Sequence, residues 1–158
     1  MPALRSALAQ AGFENVRTYL QSGNVVVDAG LAPPQVETTV AGIIEAEFGL
    51  RIAVVTRTGR DLARIVSANP LAEHAEDPKR YQVSFLSGEL SPEVVARLTA
   101  LATPPERLVA HPREIYAWHP GGVARSKLWN GLAGNGLGVT ATARNWTTVL
   151  ALRALAEE

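Results

Sequence analysis

The residues best equipped for chemistry gather in two stretches near the C-terminus, Gly121-Gly122-Val123-Ala124-Arg125-Ser126-Lys127-Leu128-Trp129-Asn130 and Ala143-Arg144-Asn145-Trp146-Thr147. Each joins cationic and hydroxyl or amide side chains to a tryptophan at an expected helix start, where free backbone N–H groups and the helix dipole favour an anion. Arg125, Ser126, Lys127, Arg144 and Asn145 are therefore the candidate ligands for a phosphate or carboxylate. Trp146, like Trp129, is a candidate platform for a base or ring. A third polar group, Gln21-Ser22-Gly23-Asn24 with Tyr19 just before it, offers Tyr19, Gln21, Ser22 and Asn24 as further ligand contacts.

Each stretch also has a plain structural explanation. Gly121 to Leu128 departs from the Gly-x4-Gly-Lys-Ser/Thr phosphate loop in two places: Ser126 replaces the last glycine and Leu128 the magnesium-binding hydroxyl. The motif thus argues against a nucleotide hydrolase, and a polar turn feeding an amphipathic helix is the competing account. Asn145 suits a helix cap, Trp146 suits a core position, and Gln21 to Asn24 suits a hairpin turn. His74, His111 and His119 show no convincing metal-ligand spacing and read as surface or structural residues. No Ser-His-Asp set follows from spacing, because a triad is defined by contacts. No metal or cofactor is expected.

The supporting elements must come from a chain of 158 residues, 47% hydrophobic and 19% charged. That composition allows a real core in one domain or two small ones. Neither a bilayer-length apolar run nor a cationic-then-apolar leader is present, so no membrane partner is expected and a cytoplasmic location is the default. The absence of cysteine excludes disulfide frameworks, zinc ribbons and thiol catalysis. Formal net charge is zero, which argues against indiscriminate nucleic-acid binding, yet six Arg or Lys face one acid between Arg107 and Arg153.

Periodicity and turn chemistry predict a helix over Ala3 to Ala11, a hairpin of Val16 to Leu20 with Val25 to Asp28, and a helix opened by Pro33-Pro34. A strand over Arg51 to Arg57 and a helix begun by the Thr58 to Asp61 capping box complete the first series. After a polar connection the second series is a strand over Arg80 to Leu86, a helix capped by Ser91, and strands at Arg107 to Ala110 and Glu114 to Trp118. A helix over Ala124 to Ala133, an extended run at Val139 to Ala143 and a last helix capped by Asn145 follow. The second series is βαββαβα and the first αββαβα. The expectation is an α+β protein of tandem ferredoxin-like (βαββαβ) units, the first lacking its opening strand. Residues 1–70 form the first, N-terminally incomplete unit, 71–79 the connection, and 80–158 the second unit with its C-terminal helix.

The run Gly12-Phe13-Glu14-Asn15-Val16-Arg17-Thr18-Tyr19-Leu20-Gln21-Ser22-Gly23-Asn24-Val25-Val26 resembles the signature of the family called domain of unknown function 1697 (DUF1697). Glu114-Ile115-Tyr116, Arg125-Ser126-Lys127-Leu128 and Thr142-Ala143-Arg144-Asn145-Trp146 are similar to its closing pattern. The resemblance implies fold and motif positions, and no activity, substrate or cofactor. It also implies an opening strand and an Arg-Gly-Ile-Asn-Val-Gly-Gly-like segment, which this sequence does not contain.

Three functions compete. The leading expectation is a binding module for an anionic ligand, a nucleotide, phosphate or nucleic acid. An enzyme of unrecognised activity using the same polar residues is the second. The third is an interaction or dimerisation module, a homo-oligomer formed through the incomplete N-terminal sheet.

Overall fold

Glycine and proline punctuate the chain where the backbone requires them. The structure is a computed structural model that describes residues 2–19, 23–74, 77–133 and 136–157, with the His74 side chain outside the description. Two units result, residues 1–64 with 151–158 and residues 65–150.

The first unit begins with α1 (Pro2–Gln10), followed by β1 (Glu14–Tyr19), β2 (Asn24–Asp28) and α2 (Pro33–Phe48). Gly12 and Gly49 both take positive φ, 100° and 69°, as expected where a left-handed residue ends a helix. β1 and β2 pair antiparallel, with a register irregularity between Glu14 and Arg17. Asn15 stands there at φ 56°. Leu8, Phe13, Ile44 and Leu62 are buried, whereas Val25, Val26 and Val27 are only half-buried.

Residues 51–58 form no strand, which corrects the expectation of one over Arg51 to Arg57. Strand propensity makes a strand only when a neighbour supplies the ladder. Among the described residues the unit's sheet contains β1 and β2 alone. Side chains take the ladder's place at Thr56: its N–H donates to Glu37 Oε1 at 3.0 Å, and Arg57 Nη1 donates to its carbonyl at 2.7 Å. The helix α3 (Gly59–Ser67) then starts as predicted. Thr58 and Asp61 exchange reciprocal backbone caps of 3.0 Å.

The second unit contains β3 (Tyr81–Leu86), α4 (Pro92–Leu101), β4 (Arg107–Ala110), β5 (Glu114–Trp118), α5 (Lys127–Ala133) and β6 (Ala141–Asn145), and α6 (Trp146–Ala156) follows. Its sheet runs β4-β5-β3-β6, every neighbouring pair antiparallel. All six residues of β3 are buried, as befits a strand flanked on both sides and covered by helices. Leu86, Leu98, Ile115, Leu128, Leu132 and Leu137 belong to one apolar cluster. Tyr116 Oη donates to the Ile65 carbonyl at 2.8 Å, which satisfies a buried hydroxyl. The protein is thus a mixed α+β fold. Among the described residues no helix is long and apolar enough to cross a membrane.

Candidate functional site

The C-terminal stretch is assembled by the end of β5 and the start of α5. His119 follows β5 and donates its backbone N–H to the Arg80 carbonyl at 2.9 Å, while Gly122 N–H returns to the His119 carbonyl at 2.8 Å. Gly122 has φ 84°, which a side chain would strain. The turn delivers Ser126 to the cap position, where its Oγ accepts the Trp129 N–H at 3.0 Å. The helix therefore starts at Lys127, three residues after the expected Ala124, because Ser126 competes for its first free amides.

Ser126 meets two groups whose roles spacing did not reveal. Its hydroxyl donates to Glu106 Oε2 at 2.5 Å, and His119 Nδ1 lies 2.8 Å from the same oxygen. Glu106 Oε1 accepts the Thr103 N–H at 3.1 Å, so both carboxylate oxygens are occupied. Burial pushes the Glu106 carboxyl up, but the Ser126, His119 and Thr103 hydrogen bonds together outweigh it and hold the group below its ordinary range. An ionised carboxylate only accepts, so His119 Nδ1–H is the donor in that contact. His119 is fully buried, and its Nε2 has no hydrogen-bond partner among the described residues. The Trp129 ring stands edge-on to the imidazole, 5.9 Å away.

Serine, histidine and glutamate thus converge in an order unsuited to nucleophilic catalysis. An acyl-transfer triad places the acid on one imidazole nitrogen and the hydroxyl on the other. Here Ser126 and Glu106 both face Nδ1, and Ser126 is 6% exposed. The three side chains tie the start of β4, the exit of β5 and the cap of α5 together. Glu106 was not among the expected site residues, and His119 was expected as a surface or structural residue. The Thr103-Pro104-Pro105-Glu106 spacing, a hydroxyl residue followed three positions later by an acid, was the available signal.

The other expected site residues are dispersed in role. Arg125 and Lys127 are exposed. Arg144 is half-buried and directs Nη1 to Thr142 Oγ1 and the Ala143 carbonyl, both at 2.8 Å. Burial lowers its guanidinium pKa. Asn145 Oδ1 accepts the Thr148 N–H at 3.0 Å and caps α6, while Trp146 is buried 5.1 Å from the Tyr81 ring. In the first unit Asn24 is buried and donates from Nδ2 to the Tyr19 carbonyl at 3.0 Å, while Tyr19 is half-buried. Gln21 and Ser22 lie outside the described residues. A groove of about 430 Å³ in the first unit, lined by Arg5, Ser6, Phe13 and Asn15 among others, includes none of the expected site residues. Among the described residues no group of three or more His, Cys, Asp or Glu is placed to hold a metal ion.

Comparison with known proteins agrees on fold and is silent on chemistry. A family model described as "Protein of unknown function (DUF1697)" matches residues 1–116. The chain is similar in structure to a conserved bacterial protein from Streptococcus pneumoniae, at 19% identity and a TM-score of 0.80, over 99% of this chain and 88% of that one. No curated protein matches.

Proposed function

The chain belongs to the family described as protein of unknown function (DUF1697), and we propose that it is a protein-interaction module acting through the open edge of β2. The observation that carries this reading is the contrast between two hairpins. In the second unit β5 has β4 on one side and β3 on the other; in the first, β2 has β1 on one side and no strand on the other among the described residues. A tandem of ferredoxin-like units, 1–70 and 80–158 joined through 71–79, accounts for the contrast. β1, β2 and residues 51–57 then correspond to β4, β5 and β6, and among the described residues no strand stands as the counterpart of β3. Since among the described residues β6 pairs with β3 alone, the failure of residues 51–57 to form a strand agrees with this correspondence.

The direct test uses a synthetic peptide carrying Tyr-Gln-Val-Ser-Phe-Leu, the sequence of β3, flanked by lysines for solubility. Its addition is expected to shift the amide resonances of Val25, Val26 and Val27 and to saturate. Resonances that do not move, or move equally with a scrambled peptide, overturn the reading.

Anion binding is the second reading, favoured by the exposure of Arg125 and Lys127 beside the buried Ser126. Ser126, Asn145 and Trp146 have structural tasks, so the cationic side chains would carry it, in a cytoplasmic setting. Titration with inorganic phosphate and with an oligonucleotide tests it: affinity falls on combined Lys127→Ala and Arg144→Ala and weakens steeply with salt. Affinity unchanged by both removes it. Nothing in the Ser126 geometry favours an enzyme.

A further inference from the structure

We infer that the end of the second unit's sheet where β3 begins and β5 finishes is a track for single-stranded nucleic acid. This rests on the anion-binding reading above and names its ligand. Arg80, Arg107, Arg125 and Lys127 supply the charge, and Trp118 and Trp129 the stacking surfaces.

The buried contacts of Glu106, His119 and Ser126 gather these residues. Ser126 Oγ donates to Glu106 Oε2 at 2.5 Å and stands 3.2 Å from His119 Nδ1, so three segments meet within hydrogen-bond reach. Arg107 is the residue after Glu106, Trp118 the one before His119, and Arg125 and Lys127 flank Ser126. Arg80 joins them through its carbonyl, which accepts the His119 N–H at 2.9 Å, and through Nη1, which donates to the Pro120 carbonyl. All lie within residues 65–150, and the four cations are exposed.

Two acids stand close by. Glu106 is turned inward, its oxygens taken by Ser126, His119 and Thr103. Asp77 lies 3.4 Å from Arg80 Nε and offsets part of that one charge. The exposed acids Glu89 and Glu93 follow β3 at the opposite end of the sheet, beside Arg113. A chain of zero formal net charge thus carries a positive end, and a local field attracts an anion whatever the total.

The spread of the charge and the two indoles decide the ligand. β5 lies between β4 and β3, and neighbouring strands are about 4.8 Å apart, so the Arg107 and Arg80 backbones stand roughly 10 Å from each other. Cations placed on separate strands suit a backbone that repeats its phosphate better than one compact anion. Trp118 is in register with Arg107 on one side and Tyr81 on the other, so the Arg107 and Trp118 side chains leave the same face of the sheet. The Trp129 ring stands edge-on to His119, 5.9 Å away. Both indoles are half-buried, anchored yet with surface left for a base. Cations interleaved with aromatic rings suit a single strand, whose bases are free to stack on them. An acidic peptide would use the charge alone.

Fluorescence anisotropy with a labelled single-stranded oligonucleotide of about 12 nucleotides tests the inference. Binding is expected at low salt. The slope of log affinity against log salt is expected to fall by about 0.7 for each of Arg107→Gln, Arg125→Gln and Lys127→Gln. Indole fluorescence is expected to be quenched on binding, and less so in Trp129→Phe. Arg51→Gln removes an exposed charge from the first unit and is expected to leave affinity unchanged. Thermal melts check that each variant folds. A duplex or a polyglutamate peptide that binds as tightly, binding without indole quenching, or an Arg51→Gln loss equal to that of Lys127→Gln overturns the inference. Inorganic phosphate bound through Lys127, with the oligonucleotide held no more tightly than phosphate, removes the nucleic acid and leaves the anion reading intact. Binding of neither removes both.

Discussion

Ser126 Oγ stands 3.2 Å from His119 Nδ1, the ring nitrogen that already serves Glu106. That shared nitrogen separates a structural clamp from a catalytic arrangement, and it yields the first prediction. A serine-directed acylating probe, such as a fluorophosphonate, is expected not to label Ser126 in the folded protein. Stoichiometric labelling at Ser126, located by peptide mass, would show a reactive nucleophile.

The clamp also makes a stability prediction. Ser126→Ala removes a helix cap and one carboxylate hydrogen bond, and Glu106→Gln removes the charge that organises three donors. Each is expected to cost about 1–3 kcal/mol in urea denaturation. Losses below about 0.5 kcal/mol for both would mean that the contacts contribute little.

Its pH dependence has a definite sign. Folding depresses the Glu106 pKa below its ordinary value of 4.5, so the unfolded chain binds the proton more readily in acid. The stabilisation is complete above the ordinary value and is lost as pH falls through the depressed one. Thermal melts between pH 7 and pH 3 are expected to show a steeper acid loss in the wild type than in Glu106→Gln. Parallel curves would remove Glu106 as a contributor.

Caps give a prediction that separates structure from binding. Thr58→Ala and Asn145→Ala are each expected to destabilise by about 0.5–2 kcal/mol. Asn145→Ala is expected to leave any phosphate affinity unchanged, because its Oδ1 is directed to Thr148 N–H. Loss of phosphate affinity without loss of stability would return Asn145 to the list of ligands.

The legibility of this fold follows from where its information resides. Gly12, Gly49, the Thr58–Asp61 pair, Ser91 and Asn145 act on neighbours within a few residues, so the sequence pattern locates the helix ends. Arg51 to Arg57 failed because a strand depends on a partner distant in sequence, and β propensity says nothing of whether one is present. For the site, Ser126 was recognisable by type, but its partners Glu106 and His119 lie 20 and 7 residues away. Their convergence depends on the β4–β5 hairpin and the turn at Gly122. The cationic stretch suggested a ligand because helix starts and anion sites draw on the same residue types.

The central claim is that the β2 edge receives another strand. Hydrogen–deuterium exchange at the amides of Val25, Val26 and Val27, measured with and without the β3 peptide, tests it most directly. Protection of these amides is expected to rise with added peptide while protection of β3, already paired on both sides, stays constant. Exchange at β2 that is fast and unchanged by the peptide at any concentration would contradict it.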